Sequence, residues 1–132
     1  MTRYTIDAPT AIRLVREGVT VAAEHQLVAP NVLRSQALSL LYRQTRQGEI
    51  DAADARTLLD GITTMKIRLL GDRVSRQTAW RVAEQFGWDD TVAAEYVAVA
   101  QLQADALVTL DPELARQVEG VVPLAPFEAL LS

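Results

Sequence analysis

Short apolar runs alternate with amphipathic stretches along the chain. Residues 3–7 read as a first strand. A Pro-initiated helix over 9–17 follows at once, with Ile12, Leu14 and Val15 turned inward and Gly18 stopping it. Leu27-Val28-Ala29 forms a second short strand closed by Pro30, with His25 in a solvated loop before it. Asn31 is placed to cap a helix over 32–47, on which Val32, Leu33, Ala37, Leu40 and Leu41 make the apolar stripe. Gln36 lies on that stripe, so its amide needs a partner. Asp51 caps the next helix, whose Ala55, Leu58, Leu59 and Ile62 recur at helical spacing.

Residues 67–70 read as a third strand. A helix over 74–86 turns Ala79, Val82, Ala83 and Phe86 inward and ends at Gly87. Asp89 and Asp90 precede a helix over 92–103 with Val92, Tyr96, Val99 and Leu102 inward. A fourth strand over 106–110, a helix over 112–118, a fifth strand at Val121-Val122 and a terminal turn over 127–131 complete the chain. The strands are uniformly apolar rather than alternating, which predicts a parallel sheet covered on both faces. The expectation is one α/β domain over 1–132, an α/β/α sandwich of about five strands.

Two stretches share one grammar. Tyr4-Thr5-Ile6-Asp7 and Leu107-Val108-Thr109-Leu110-Asp111 each run as a β-rich segment, stop on Asp and start a helix with Pro within two residues. Open α/β sheets carry their sites at such carboxyl ends. Two strands delivering Asp7 and Asp111 side by side would suit a divalent cation.

Composition narrows the alternatives. The chain has 132 residues, 49% of them hydrophobic and only 5% aromatic, enough for an aliphatic core. It lacks cysteine, which removes disulfides and thiolate metal sites. Its net charge of −4 argues against a general duplex-binding coat. Lys66 is the single lysine, so the cations are almost all Arg; this suits phosphate recognition and also follows from coding bias. His25 is the single histidine, leaving histidine-based chemistry little to work with. No dinucleotide, P-loop or nucleophile-elbow motif is present. No apolar run reaches membrane-spanning length and no signal-peptide pattern opens the chain, so the expectation is cytoplasmic with no membrane role.

The order of YTIDAPT, LVAPNVLRSQALSLLYR, AAEYVAVAQLQADALVTLD and PELAR resembles PIN domains, in particular the VapC-type toxins of type II toxin–antitoxin pairs. The resemblance runs over essentially the whole chain and is most specific over 95–116. It implies a metal-dependent endoribonuclease using Mg²⁺ or Mn²⁺, neutralised by a VapB-like antitoxin and commonly homodimeric. Residue by residue, it places the first family acid on Asp7 and the last on Asp111. The family's Glu falls on Gln36 and its remaining Asp on Ala93, so two of four usual acids are missing. Gln36 keeps an oxygen, and Asp90 is a candidate substitute acid that also suits a helix cap. The alternative reading is a PIN-fold binding module with weakened or lost catalysis.

Overall fold

A computed structural model describes all residues, Met1–Ser132. The elements are β1 (Thr2–Ile6), α1 (Ala8–Glu17), β2 (His25–Pro30), α2 (Val32–Arg46), α3 (Ala52–Thr64), β3 (Ile67–Leu70), α4 (Arg73–Phe86), α5 (Val92–Gln103), β4 (Ala106–Val108) and α6 (Pro112–Val118), with a closing 3₁₀ turn at Phe127–Leu131. The strands form one sheet of order β3-β2-β1-β4, and every pairing is parallel. The chain leaves β1, builds outward through β2 and β3, then crosses back to set β4 on the other side of β1. The carboxyl ends of β1 and β4 therefore flank a topological switch point, where this class of sheet opens a crevice.

Two apolar cores flank the sheet. Ile6, Leu27, Ala29 and Val108 pack with α1, α2, α3 and the terminal turn. Leu107 packs with α4, α5 and α6. Neighbours Leu107 and Val108 thus face opposite cores, as strand geometry requires. The arrangement is compatible with a three-layer sandwich. No helix is long and apolar enough to cross a membrane.

Helix ends follow local chemistry. Asp7, Asp51 and Asp72 each accept a backbone N–H three residues on, capping α1, α3 and α4. Gly18 and Gly87 close α1 and α4 at φ +63° and +68°, a left-handed conformation that costs glycine little.

The structure corrects several expectations. The sheet has four strands, not about five. Val121 and Val122 lie in a turn, and the segment beside β4 makes one parallel bridge, Leu107 with Leu124. Leu107 N–H donates to Pro123 O at 2.9 Å and Ala125 N–H to Leu107 O at 3.0 Å. Pro123 and Pro126 have no N–H to extend that ladder. His25 is not a loop residue. It opens β2, meets the Tyr4 ring edge-on at 5.1 Å and holds Ser132 O through Nε2 at 2.9 Å. Asn31 makes no side-chain cap. Its own backbone is helical, and its N–H donates to Leu70 O at 2.9 Å. Phe86 is exposed and stacks on Trp88.

Val92 and Leu102 are also exposed, at the two ends of α5. The middle of that helix is buried almost all round, from Ala93 to Ala100, because it lies between the sheet and α4. With apolar residues on every side it has no stripe to read.

One core position on α2 tests this packing. Leu41 is fully buried in the first core, whereas Leu38 on the same helix is 57% exposed. Leu41→Ala is expected to cost about 2–5 kcal/mol of unfolding free energy. Leu38→Ala should stay within about 0.5 kcal/mol. Urea denaturation of both variants checks the difference.

Candidate functional site

Asp7 sits one residue beyond β1 and is 2% exposed. Its Oδ1 accepts from Thr10 N–H at 3.0 Å and from Thr10 Oγ1 at 2.5 Å. Its Oδ2 accepts from Thr109 Oγ1 at 2.5 Å. Thr10 Oγ1 also lies 3.2 Å from Val108 O, but its single hydrogen favours the nearer carboxylate. Thr109 Oγ1 in turn accepts from Asp111 N–H at 3.0 Å. One threonine hydroxyl thus joins the Asp7 side chain to the Asp111 backbone across the β1–β4 crevice.

Asp111 caps α6, its Oδ1 accepting from Glu113 N–H at 3.0 Å. The other carboxylate oxygen makes no hydrogen bond within the chain. Burial pushes the Asp7 pKa up. The bonds from Thr10 and Thr109 oppose this, and the Asp111 charge adds to it. Removal from water therefore outweighs three hydrogen bonds and the favourable start of α1. The Asp111 charge is the smallest of the influences on Asp7.

Gln36 is drawn into the same region by Tyr96, whose phenol donates to Gln36 Oε1 at 2.5 Å. Tyr96 is 1% exposed. Its pKa is pushed up by burial, then by the charges of Asp7 and Glu95, with the Ala8 N–H opposing. The phenol stays protonated and remains a donor. The Gln36 amide nitrogen makes no hydrogen bond within the chain, so it can still donate to a ligand.

Asp90 does not join this group. Its Oδ1 accepts from Val92 N–H at 3.1 Å, just before α5, whose N-cap is Thr91. It is not among the charges acting on Asp7. Ala93, where the resemblance expects an acid, is 6% exposed and packs in the second apolar core. No three His, Asp or Glu side chains gather to hold a metal; the acids at the crevice are a pair.

The sequence passes over Thr109 and Tyr96 as site residues. Thr109 had a signal in its place two residues before Asp111. Tyr96 had one in being a phenol among core residues, which needs a partner. A separate concavity of about 900 Å³ lies at the opposite sheet edge, lined by Arg3, Val19, His25, Met65, Lys66 and Arg68 among others. It contains none of the crevice residues.

No family model and no curated protein matches this chain. A solved structure does. The chain is similar to PAE2754 from Pyrobaculum aerophilum, with a TM-score of 0.69 and 26% sequence identity, covering 98% of this chain and 94% of that one. The likeness supports the α/β fold over nearly its whole length.

The raised pKa of Asp7 has a thermodynamic consequence. A group with folded pKa above its unfolded value, about 3.8, contributes its stabilisation in full below that pH. The contribution is lost as pH rises through the folded pKa. In metal-free buffer, Asp7→Asn is therefore expected to be more stable than the parent at pH 7. The gap should close as pH falls toward 3.8. Melting temperature against pH for the two proteins measures it.

Proposed function

We propose that this chain is a PIN-type ribonuclease, the toxin of a type II toxin–antitoxin pair, working with a reduced acidic set. The observation that carries the reading is that Asp7 and Asp111 lie one and three residues beyond the carboxyl ends of the adjacent parallel strands β1 and β4, flanking the switch point. The three-layer PIN-like sandwich, a VapB-like antitoxin, a homodimeric state and a cytoplasmic setting belong to the same reading.

The residues fit a hard cation such as Mg²⁺ or Mn²⁺. They offer carboxylate oxygens rather than sulfur or imidazole, and a dication would relieve the repulsion between Asp7 and Asp111. Two carboxylates with water and substrate phosphate suffice for magnesium. Asp7 and Asp111 would hold the ion, which supplies charge neutralisation at a phosphate and a more acidic bound water.

The remaining residues position. Thr10 and Thr109 fix the Asp7 carboxylate from both sides. Tyr96 fixes the Gln36 oxygen and leaves its amide nitrogen free to donate to a phosphate oxygen. Gln36 therefore aids binding by neutral donation and adds no charge to the cation site. Asp90 is left to hold the turn before α5 through Val92 N–H.

A second reading has its own support. Asp7 already accepts three hydrogen bonds, burial raises its pKa, and no third acid approaches. Those features favour a PIN-fold binding module that no longer cleaves.

Cleavage separates the two. On a labelled RNA pool, the wild-type chain is expected to cut with Mn²⁺ and not with EDTA. Asp7→Ala should lower the rate about 100-fold or more, the scale for losing one charged group that acts on the transition state. Folded wild-type protein that leaves the pool uncut both with Mn²⁺ and with EDTA supports the binding module instead.

A further inference from the structure

Helix α4 carries an outer face that the fold does not use. Its buried face is Ser75, Thr78, Ala79, Val82 and Ala83. Arg73, Arg76, Gln77, Trp80, Arg81 and Glu84 line a shallow groove on the other side. Their spacing follows one helical stripe. Trp80 is 68% exposed, an unusual placement for so large an apolar ring.

The arginines stand where a helix alone would not want them. Arg73 and Arg76 sit in its first turns, and its last turn holds no cation. The helix dipole favours the reverse order. None of the three is in an ion pair: the pairs in the chain are Arg13–Glu17 and Arg116–Glu113. Asp72, the cap of α4, feels Arg76 only as a minor influence behind its hydrogen bonds to Ser75. Three unpaired cations around a presented indole, on a chain of net charge −4, is a local and directed excess.

From this we infer that the outer face of α4 is a platform for a single nucleic-acid strand. Trp80 stacks a base, and Arg73, Arg76 and Arg81 hold the phosphates on either side. Indole stacking with flanking cations is the chemistry by which proteins grip unpaired strands without reading sequence. A duplex offers phosphates but hides its base faces.

α4 begins directly after β3, at the carboxyl edge of the sheet, and packs on α5, the helix that carries Tyr96. Arg73 and Arg76 lie toward that edge, and Arg81 and Glu84 lie further along the helix. The inference deepens the ribonuclease reading, and rests on it for the strand's destination, but its residues are separate from Asp7 and Asp111.

The test is strand binding in EDTA, where metal-dependent cleavage is silent. Fluorescence anisotropy of labelled oligouridylate, oligothymidylate and an RNA duplex of equal length is followed with wild type, Trp80→Ala, Arg76→Ala and Arg81→Ala. Single strands should bind more tightly than the duplex, and the two oligonucleotides tell whether the sugar matters. Trp80→Ala should weaken binding roughly 5- to 100-fold. Each arginine variant should reduce the salt slope by about 0.7. In a Trp88→Phe background, Trp80 emission should be quenched by the strand.

Equal binding by wild type and all three variants would overturn the inference, as would tighter duplex binding or no strand binding. So would a dimer that Trp80→Ala converts to monomer with strand affinity unchanged, which would make the face a protein interface. Trp80-dependent binding without any Mn²⁺-dependent cleavage would keep the platform and remove the nuclease reading.

Discussion

The buried Asp7 carboxylate is the constraint on which the site depends. Burying an anion is unfavourable unless its oxygens are satisfied, and here two threonines satisfy them. Thr10 comes from the helix that Asp7 itself caps. Thr109 comes from the end of the neighbouring strand and also receives the Asp111 N–H. The same contacts therefore start α1, tie β1 to the segment after β4 and set the approach of the two acids. Burial raises the Asp7 pKa, and the Asp111 charge adds a smaller push in the same direction. On the proposed reading, a bound cation would offset the charge that burial makes unfavourable.

On the proposed PIN-type reading, the departures from a four-acid site share a physical pattern. Where a Glu would add charge, Gln36 accepts from a phenol that burial keeps protonated. Where an Asp would add charge, Ala93 fills apolar volume beside α4. Both replacements lower the repulsion that an unoccupied acidic cluster would impose on the fold. They also lower the charge available to hold a metal, so any ion would lean on substrate phosphate for the rest of its shell.

Much of this was legible in the residues. The order of helices and strands followed from period and punctuation, and 67–70 and 112–118 matched the observed elements to the residue. Asp7 and Asp111 stood out because each ended a β-rich run before a proline-started helix. The illegible parts depended on contacts distant in sequence. His25 looked solvated because its partners, Tyr4 and Ser132, lie far along the chain. The exposed ends of α5 could not be read because its centre is apolar all round. The fifth strand failed because flanking prolines starve it of donors, leaving one bridge at Leu124. The tie between Gln36 and Tyr96 spans sixty residues, and no local pattern encodes it.

The central claim is that Asp7 and Asp111 together form a cation site, and Mn²⁺ binding tests it most directly. Free Mn²⁺ would be followed by its paramagnetic resonance signal during titration of the metal-free chain, with Asp7→Asn and Asp111→Asn beside it. The account predicts one weak site per chain, lost in either variant and tightened by a phosphodiester. Equal Mn²⁺ uptake by the parent and both variants, or none by any of them with phosphodiester present, would contradict it.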